Sequence, residues 1–133
     1  EIYPQRMKRL LAPAKEHGML AIFHSNGRID KVVPALSEMG FDGLHLGAYE
    51  YADVAALRQA LRGQMALIGT IPVLLLTYGS QQEIEDEVRR HCVELAPGGG
   101  YVIGLSASIT QGIPPQNLVA LVQAIHRYGQ YGH

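Results

Sequence analysis

The 133-residue sequence predicts an α/β fold built from parallel βα units. Four times, a short apolar run gives way to a glycine or polar turn and then to a segment with helical periodicity. The runs carry little apolar–polar alternation, so helices must cover the sheet, as in parallel α/β proteins. The composition, 47% apolar and 17% charged, supplies enough material for a packed core and excludes a disordered chain.

Gln5 to His17 reads as a first helix, with Pro13 as a candidate kink and Gly18 as its stop. The first apolar run is Met19-Leu20-Ala21-Ile22-Phe23-His24, and the turn Ser25-Asn26-Gly27 follows it. Asp30 can cap the next helix, whose apolar face is Val33, Leu36 and Met39; Pro34 sits in its first turn, where a missing N–H costs little, and Gly40 ends it. The second run is Phe41-Asp42-Gly43-Leu44-His45-Leu46. Asp53 then caps a helix from Val54 to Leu61, stopped by Gly63. The third run, Met65 to Thr70, leads into a short helical turn over Ile71 to Leu76. Ser80 and Glu83 stand three apart as a capping box for a helix to about Leu95, with Ile84, Val88, Cys92 and Leu95 on its apolar face. After the break Pro97-Gly98-Gly99-Gly100 comes the fourth run, Tyr101 to Leu105. Pro114-Pro115 opens a last helix that presents Leu118, Leu121, Val122 and Ile125 and ends at Gly129.

Charge and cysteine content narrow the function. Eleven basic residues against twelve acidic ones give a formal net charge of −1. The basic residues are scattered, so no electrostatic stripe for nucleic acid is expected. The longest apolar stretch, near Ile71 to Leu76, is interrupted by Pro72 and falls short of the roughly 20 residues of a membrane span. A lone Cys92 makes no internal disulfide and no zinc site by itself, and no signal-like leader is visible. A cytoplasmic location is the expectation. Gly98-Gly99-Gly100 precedes a strand, which makes it a helix-to-strand turn and not a phosphate loop. His91 and Cys92 are neighbours on a helix and point different ways, with Cys92 a structural thiol. Arg89 and Arg90 read as a solvated helix face, and Tyr101, Tyr128 and Tyr131 as packing or surface residues.

One leading helix plus four βα units fits two architectures: a small doubly wound sheet, or half of an eight-fold barrel, which takes about 250 residues. A resemblance chooses between them. Phe23-His24-Ser25-Asn26-Gly27-Arg28-Ile29, the Gly79-Ser80-Gln81-Gln82-Glu83 helix start, the segment Leu95 to Ile103 with its Pro97-Gly98-Gly99-Gly100 turn, and Pro114-Pro115-Gln116-Asn117-Leu118 occur in the order and rough spacing of the C-terminal part of the uroporphyrinogen decarboxylase superfamily. The chain resembles that family over nearly its whole length. The resemblance implies a TIM (β/α)8 barrel of which residues 1–133 supply a single C-terminal portion, about half the barrel. It also implies a cytoplasmic enzyme that handles a small-molecule substrate.

In such a barrel the C-terminal ends of the strands build the active site. That places His24, Ser25, Asn26 and Arg28 at the first mouth, and His45 with Tyr49, Glu50 and Tyr51 at the second. Thr70 falls at the third, and Ser106, Ser108 and Thr110 at the fourth. Of these, His24, Asn26, Arg28, His45, Ser106 and Ser108 are the candidate substrate-binding residues; no catalytic residue is assigned.

The decarboxylase branch of the family needs no cofactor, and none is expected here. Removing an acetate carboxyl from a pyrrole requires protonating the ring and holding several carboxylates with cations and N–H groups. The branch's Gly-His-Gly signature falls near Ala107 without its His, and Gly-Asn-x-Asp-Pro stands as Gly69-Thr70-Ile71-Pro72. These departures point away from a narrow assignment to uroporphyrinogen III. The corrinoid-linked methyltransferase branch binds zinc through a His and a Cys two residues later, with another Cys after the last strand. Here the corresponding positions are His24, Asn26 and the stretch Ser106-Ala107-Ser108. His24 with His45 and Glu50 is the remaining way to three metal ligands. A third reading is a non-catalytic half-barrel, an assembly module whose open edges and bare inner face demand a second copy or a complementary N-terminal half.

Overall fold

The computed structural model describes residues 2–27, 29, 31–47 and 53–130. The order of elements is α1 (Ile2–Glu16), β1 (Ile22–Ser25), α2 (Val33–Met39), β2 (Gly43–Leu46), α3 (Val54–Leu61), β3 (Ala66–Ile71), α4 (Val73–Tyr78), α5 (Gln81–Leu95), β4 (Tyr101–Leu105) and α6 (Pro115–Tyr128). The strands form one parallel sheet in the sequential order β1-β2-β3-β4. The order decides the winding. Each crossover steps the same way along the sheet, and right-handed crossovers then lay every helix on one face. A doubly wound sheet reverses direction and covers both faces. The described strands are therefore wound singly, as in a partial TIM-barrel-like domain.

Burial follows from that winding. Leu44, Leu46 and Leu67 point at the helices and are at most 1% exposed, whereas Ile22 and Val102, on the other face, are 54% and 53% exposed. One apolar cluster sets Val33, Leu36 and Met39 of α2 and Leu57 and Leu61 of α3 against β2 and β3. A second joins Leu76, Ile84, Val88, Leu121 and Ala124 from α4, α5 and α6 to Ile71.

Local chemistry explains most element boundaries. Asp53 accepts from Ala56 N–H at the start of α3, and Ser80 and Glu83 make the reciprocal capping box of α5. Gly40 ends α2 at φ 96°, a conformation that suits a residue without Cβ. α1 runs through Pro13 to Glu16 before Gly18 stops it. Three expectations are adjusted. Met19 and Leu20 precede β1 and are exposed, so the first strand is shorter than its apolar run. Asp30 lies outside the described residues, and α2 has Val32 as an N-cap without a side-chain bond. The buried stripe of α6 is Asn117, Leu121 and Ala124, while Val122 is 52% exposed. Asn117 Nδ2 donates to the Leu76 and Gly79 carbonyls, and that anchor turns the helix. Among the described residues no helix is long and apolar enough to cross a membrane.

Candidate functional site

At the C-terminal ends of the strands, His24, Asn26, His45, Leu105, Ala107 and Ser108 line an open cleft of about 430 Å³. His24 is the penultimate residue of β1, and His45 is its partner in the parallel register of β2. The shared register places both rings on the helix-free face. They stack with centroids 4.8 Å apart and planes 29° apart.

The hydrogen bonds set the tautomers. The Leu105 carbonyl can only accept, so His45 donates from Nε2 across 2.9 Å. In the neutral ring His45 Nδ1 is then an acceptor, and His24 Nδ1, 2.7 Å away, donates to it. His24 Nε2 is left with a free lone pair and has no partner among the described residues. The ring nitrogen of the pair left unengaged is therefore His24 Nε2.

Two glycines make room for it. A Cβ on Gly69, which has φ 90°, would lie 2.9 Å from His45 Cδ2 and Nε2 and 3.0 Å from the Leu105 oxygen. A Cβ on Gly47 would collide with Asn26 Oδ1 and stand 2.9 Å from both His24 Cε1 and the Ser25 carbonyl. The Asn26 side chain can swing aside, but the Ser25 backbone cannot. Gly47→Ala is expected to destabilise the fold by about 1–3 kcal/mol and to break the Nδ1–Nδ1 bond. Imidazole ¹⁵N spectra check this; a shared-proton signal that survives the substitution contradicts it.

The structure gathers His24, Asn26, His45 and Ser108 at one cleft. Ser106 is 5% exposed and does not line it; its N–H donates to the Ile71 carbonyl. Arg28, Tyr49, Glu50 and Tyr51 lie outside the described residues. Thr70 is corrected. It is fully buried and faces the helices, with Oγ1 3.0 Å from His91 Nδ1 and 2.6 Å from the Tyr101 hydroxyl. Gly69 and Thr70 both have positive φ, and this breaks the alternation of β3 locally, so that Thr70 and Ile71 are both buried. His91 is fully buried, whereas Cys92, expected on the apolar face, is half-buried against the second cluster, with burial pushing its thiol up. Sequence reasoning also missed Arg58, which is 7% exposed.

Among the described residues the donors of this cleft do not make a zinc set; Glu50, the third ligand of the His24–His45 alternative, lies outside them. Both His45 nitrogens are engaged, and Asn26 and Ser108 offer an amide and a hydroxyl where thiolates are needed. Among the described residues no group of three His, Cys, Asp or Glu side chains is placed to hold a metal.

The family model described as uroporphyrinogen decarboxylase (URO-D) matches residues 1–128. The chain belongs to the uroporphyrinogen decarboxylase family. Among similar proteins, the uroporphyrinogen decarboxylase of Methylococcus capsulatus is 27% identical over 131 residues, covering 98% of this chain and 36% of that protein. Those of Salmonella paratyphi B and Salmonella newport are each 33% identical over 99 residues, covering 74% of this chain and 27% of theirs. The chain therefore spans about a third of the length of these relatives. Family membership agrees with the resemblance read from the sequence and with a singly wound parallel sheet.

Proposed function

We propose that the chain forms the C-terminal part of a decarboxylase that acts on a tetrapyrrole or a related polycarboxylate, as one half of a TIM barrel, and that His24 and His45 serve its proton transfers. The observation that carries this reading is the chain from the Leu105 carbonyl through His45 to His24 Nε2. Decarboxylation of a pyrrole acetate consumes one proton overall. A ring carbon is protonated, the C–C bond breaks, and its electrons flow into the ring as CO2 leaves. The methylene carbon is then protonated and the ring proton is given back. A nitrogen that can both give and take a proton at a fixed position suits both transfers. Asn26 and Ser108 supply polar contacts beside it, and the cations that hold the remaining carboxylates belong to Arg28 and to the rest of the barrel. Release of CO2 from uroporphyrinogen by the protein together with its complementary N-terminal half tests the proposal, and an inert complete protein rejects it.

A second reading is favoured by the helix-free face. Ile22 and Val102 are exposed there, and among the described strands β1 and β4 each pair on one side only. Open edges and a bare apolar face favour association. The 133-residue chain alone is expected to self-associate in sedimentation velocity, and a sharp monomer boundary at micromolar concentration rules that out.

A further inference from the structure

We propose that a second cleft, at the opposite end of the strands from the histidine pair, is a binding site for a phosphate group. It lies between the C-terminal end of α3 and the α5–β4 turn, holds about 250 Å³, and is walled by Arg58, Arg62, Gly63 and Gly98 to Gly100. Arg58 is 7% exposed; its Nε donates to the Leu95 carbonyl over 2.9 Å and its Nη2 to the Gly99 carbonyl. Arg62 Nη2 makes a single long contact, 3.5 Å, with the Pro97 carbonyl. These acceptors satisfy N–H groups, and the Leu95 carbonyl at the C-terminal end of α5 adds the partial negative charge of the helix dipole, but none carries a full counter-charge. No carboxylate among the described residues forms an ion pair with either guanidinium. Asp42, the acidic residue on the cleft wall, is taken by Lys15 and by Ala21 N–H at 2.6 Å.

A buried charge is normally paired, and among the described residues no carboxylate pairs with the buried Arg58; Arg62, one helical turn further on, is exposed to solvent at the cleft mouth. The turn is shaped around the two guanidiniums. Gly98, Gly99 and Gly100 all have positive φ; a Cβ on Gly98 would come within 2.7 Å of Arg62 Nη2, and one on Gly100 within 3.5 Å of Arg58 Nη2. Two guanidinium charges line one cleft; the Arg58 fork is held by the turn carbonyls, and the loosely tied Arg62 keeps N–H donors for a ligand, a doubly positive set that suits a dianion better than a single carboxylate. The site does not depend on the proposed decarboxylation, because it shares no residue with the histidine cleft.

Titrating inorganic phosphate into the protein at constant ionic strength, by calorimetry and by ³¹P line width, tests it. Saturable one-to-one binding is expected, weakened at least tenfold in Arg62→Gln. That variant loses one long contact and should keep the wild-type Tm without phosphate. Absence of saturable binding to the wild type overturns the proposal, whatever the variants do. Equal affinity in Arg62→Gln also overturns it and leaves the two arginines as ties for the turn.

Discussion

Replacing His24 with alanine is expected to slow decarboxylation by the complete protein by a factor of about 10²–10⁴, the range typical of a positioned acid–base group. The loss should fall on kcat more than on KM, because the proposed role has His24 Nε2 exchange protons with the reacting carbon while other groups hold the substrate carboxylates. His45→Gln should cost less, about tenfold. A glutamine amide can still donate to the Leu105 carbonyl, but it cannot share a proton with His24 Nδ1 in the way an imidazole does. The double variant should be no slower than His24→Ala alone, since two residues acting as one relay are not additive. Rates of CO2 release for the four proteins settle the matter. A His24→Ala enzyme with wild-type kcat removes the histidine pair from the mechanism and leaves the family assignment untouched.

The histidine pair was readable in advance because both residues close apolar runs that the pattern marks as strands. Two neighbouring parallel strands in register then bring those positions together. The strand order was not readable. Local periodicity says that a segment is a strand and is silent on its neighbours, so the sequential order, which separates a singly wound from a doubly wound sheet, required the resemblance and then the structure. Thr70 was misplaced for a different reason. Alternation puts it on the face of Ile68, but two successive left-handed residues break the alternation locally and turn Thr70 inward, and the available hint was a glycine inside a strand. On α5 the spacing 84, 88, 91, 95 is as helical as 84, 88, 92, 95. Side-chain polarity favoured Cys92, and the partners that make a buried histidine tolerable sit far away on β3 and β4. Arg58 was passed over because its acceptors are backbone carbonyls, which leave no mark on a residue pattern.

The largest loss of stability is expected from His91→Ala. His91 is fully buried, with Nδ1 bonded to Thr70 Oγ1, which in turn meets the Tyr101 hydroxyl. On the other side His91 Nε2 lies 3.2 Å from Glu87 Oε1 and 2.9 Å from Arg90 Nη2, which itself donates to that oxygen at 2.7 Å. Deleting the ring opens a cavity and strips a partner from two polar side chains at once. The cost is about 3–5 kcal/mol, a large part of the roughly 5–15 kcal/mol that holds a domain together. Urea unfolding should show a lower midpoint at unchanged slope. Tyr101→Phe, which removes one hydroxyl, should cost about 1–3 kcal/mol. The same network has a pH signature. The hydrogen bond from His91, and after it the Arg90 guanidinium, hold the Glu87 carboxyl well below the usual carboxylate range. A carboxyl depressed in the folded state contributes its full stability above the unfolded value of about 4.3, and that contribution drains away as the pH falls toward the folded value. Wild-type stability should therefore decline below about pH 5, and Glu87→Gln, less stable at neutral pH, should show a shallower decline. Parallel acid profiles for the two proteins show that the His91 and Arg90 contacts do not hold the Glu87 carboxylate in the folded state.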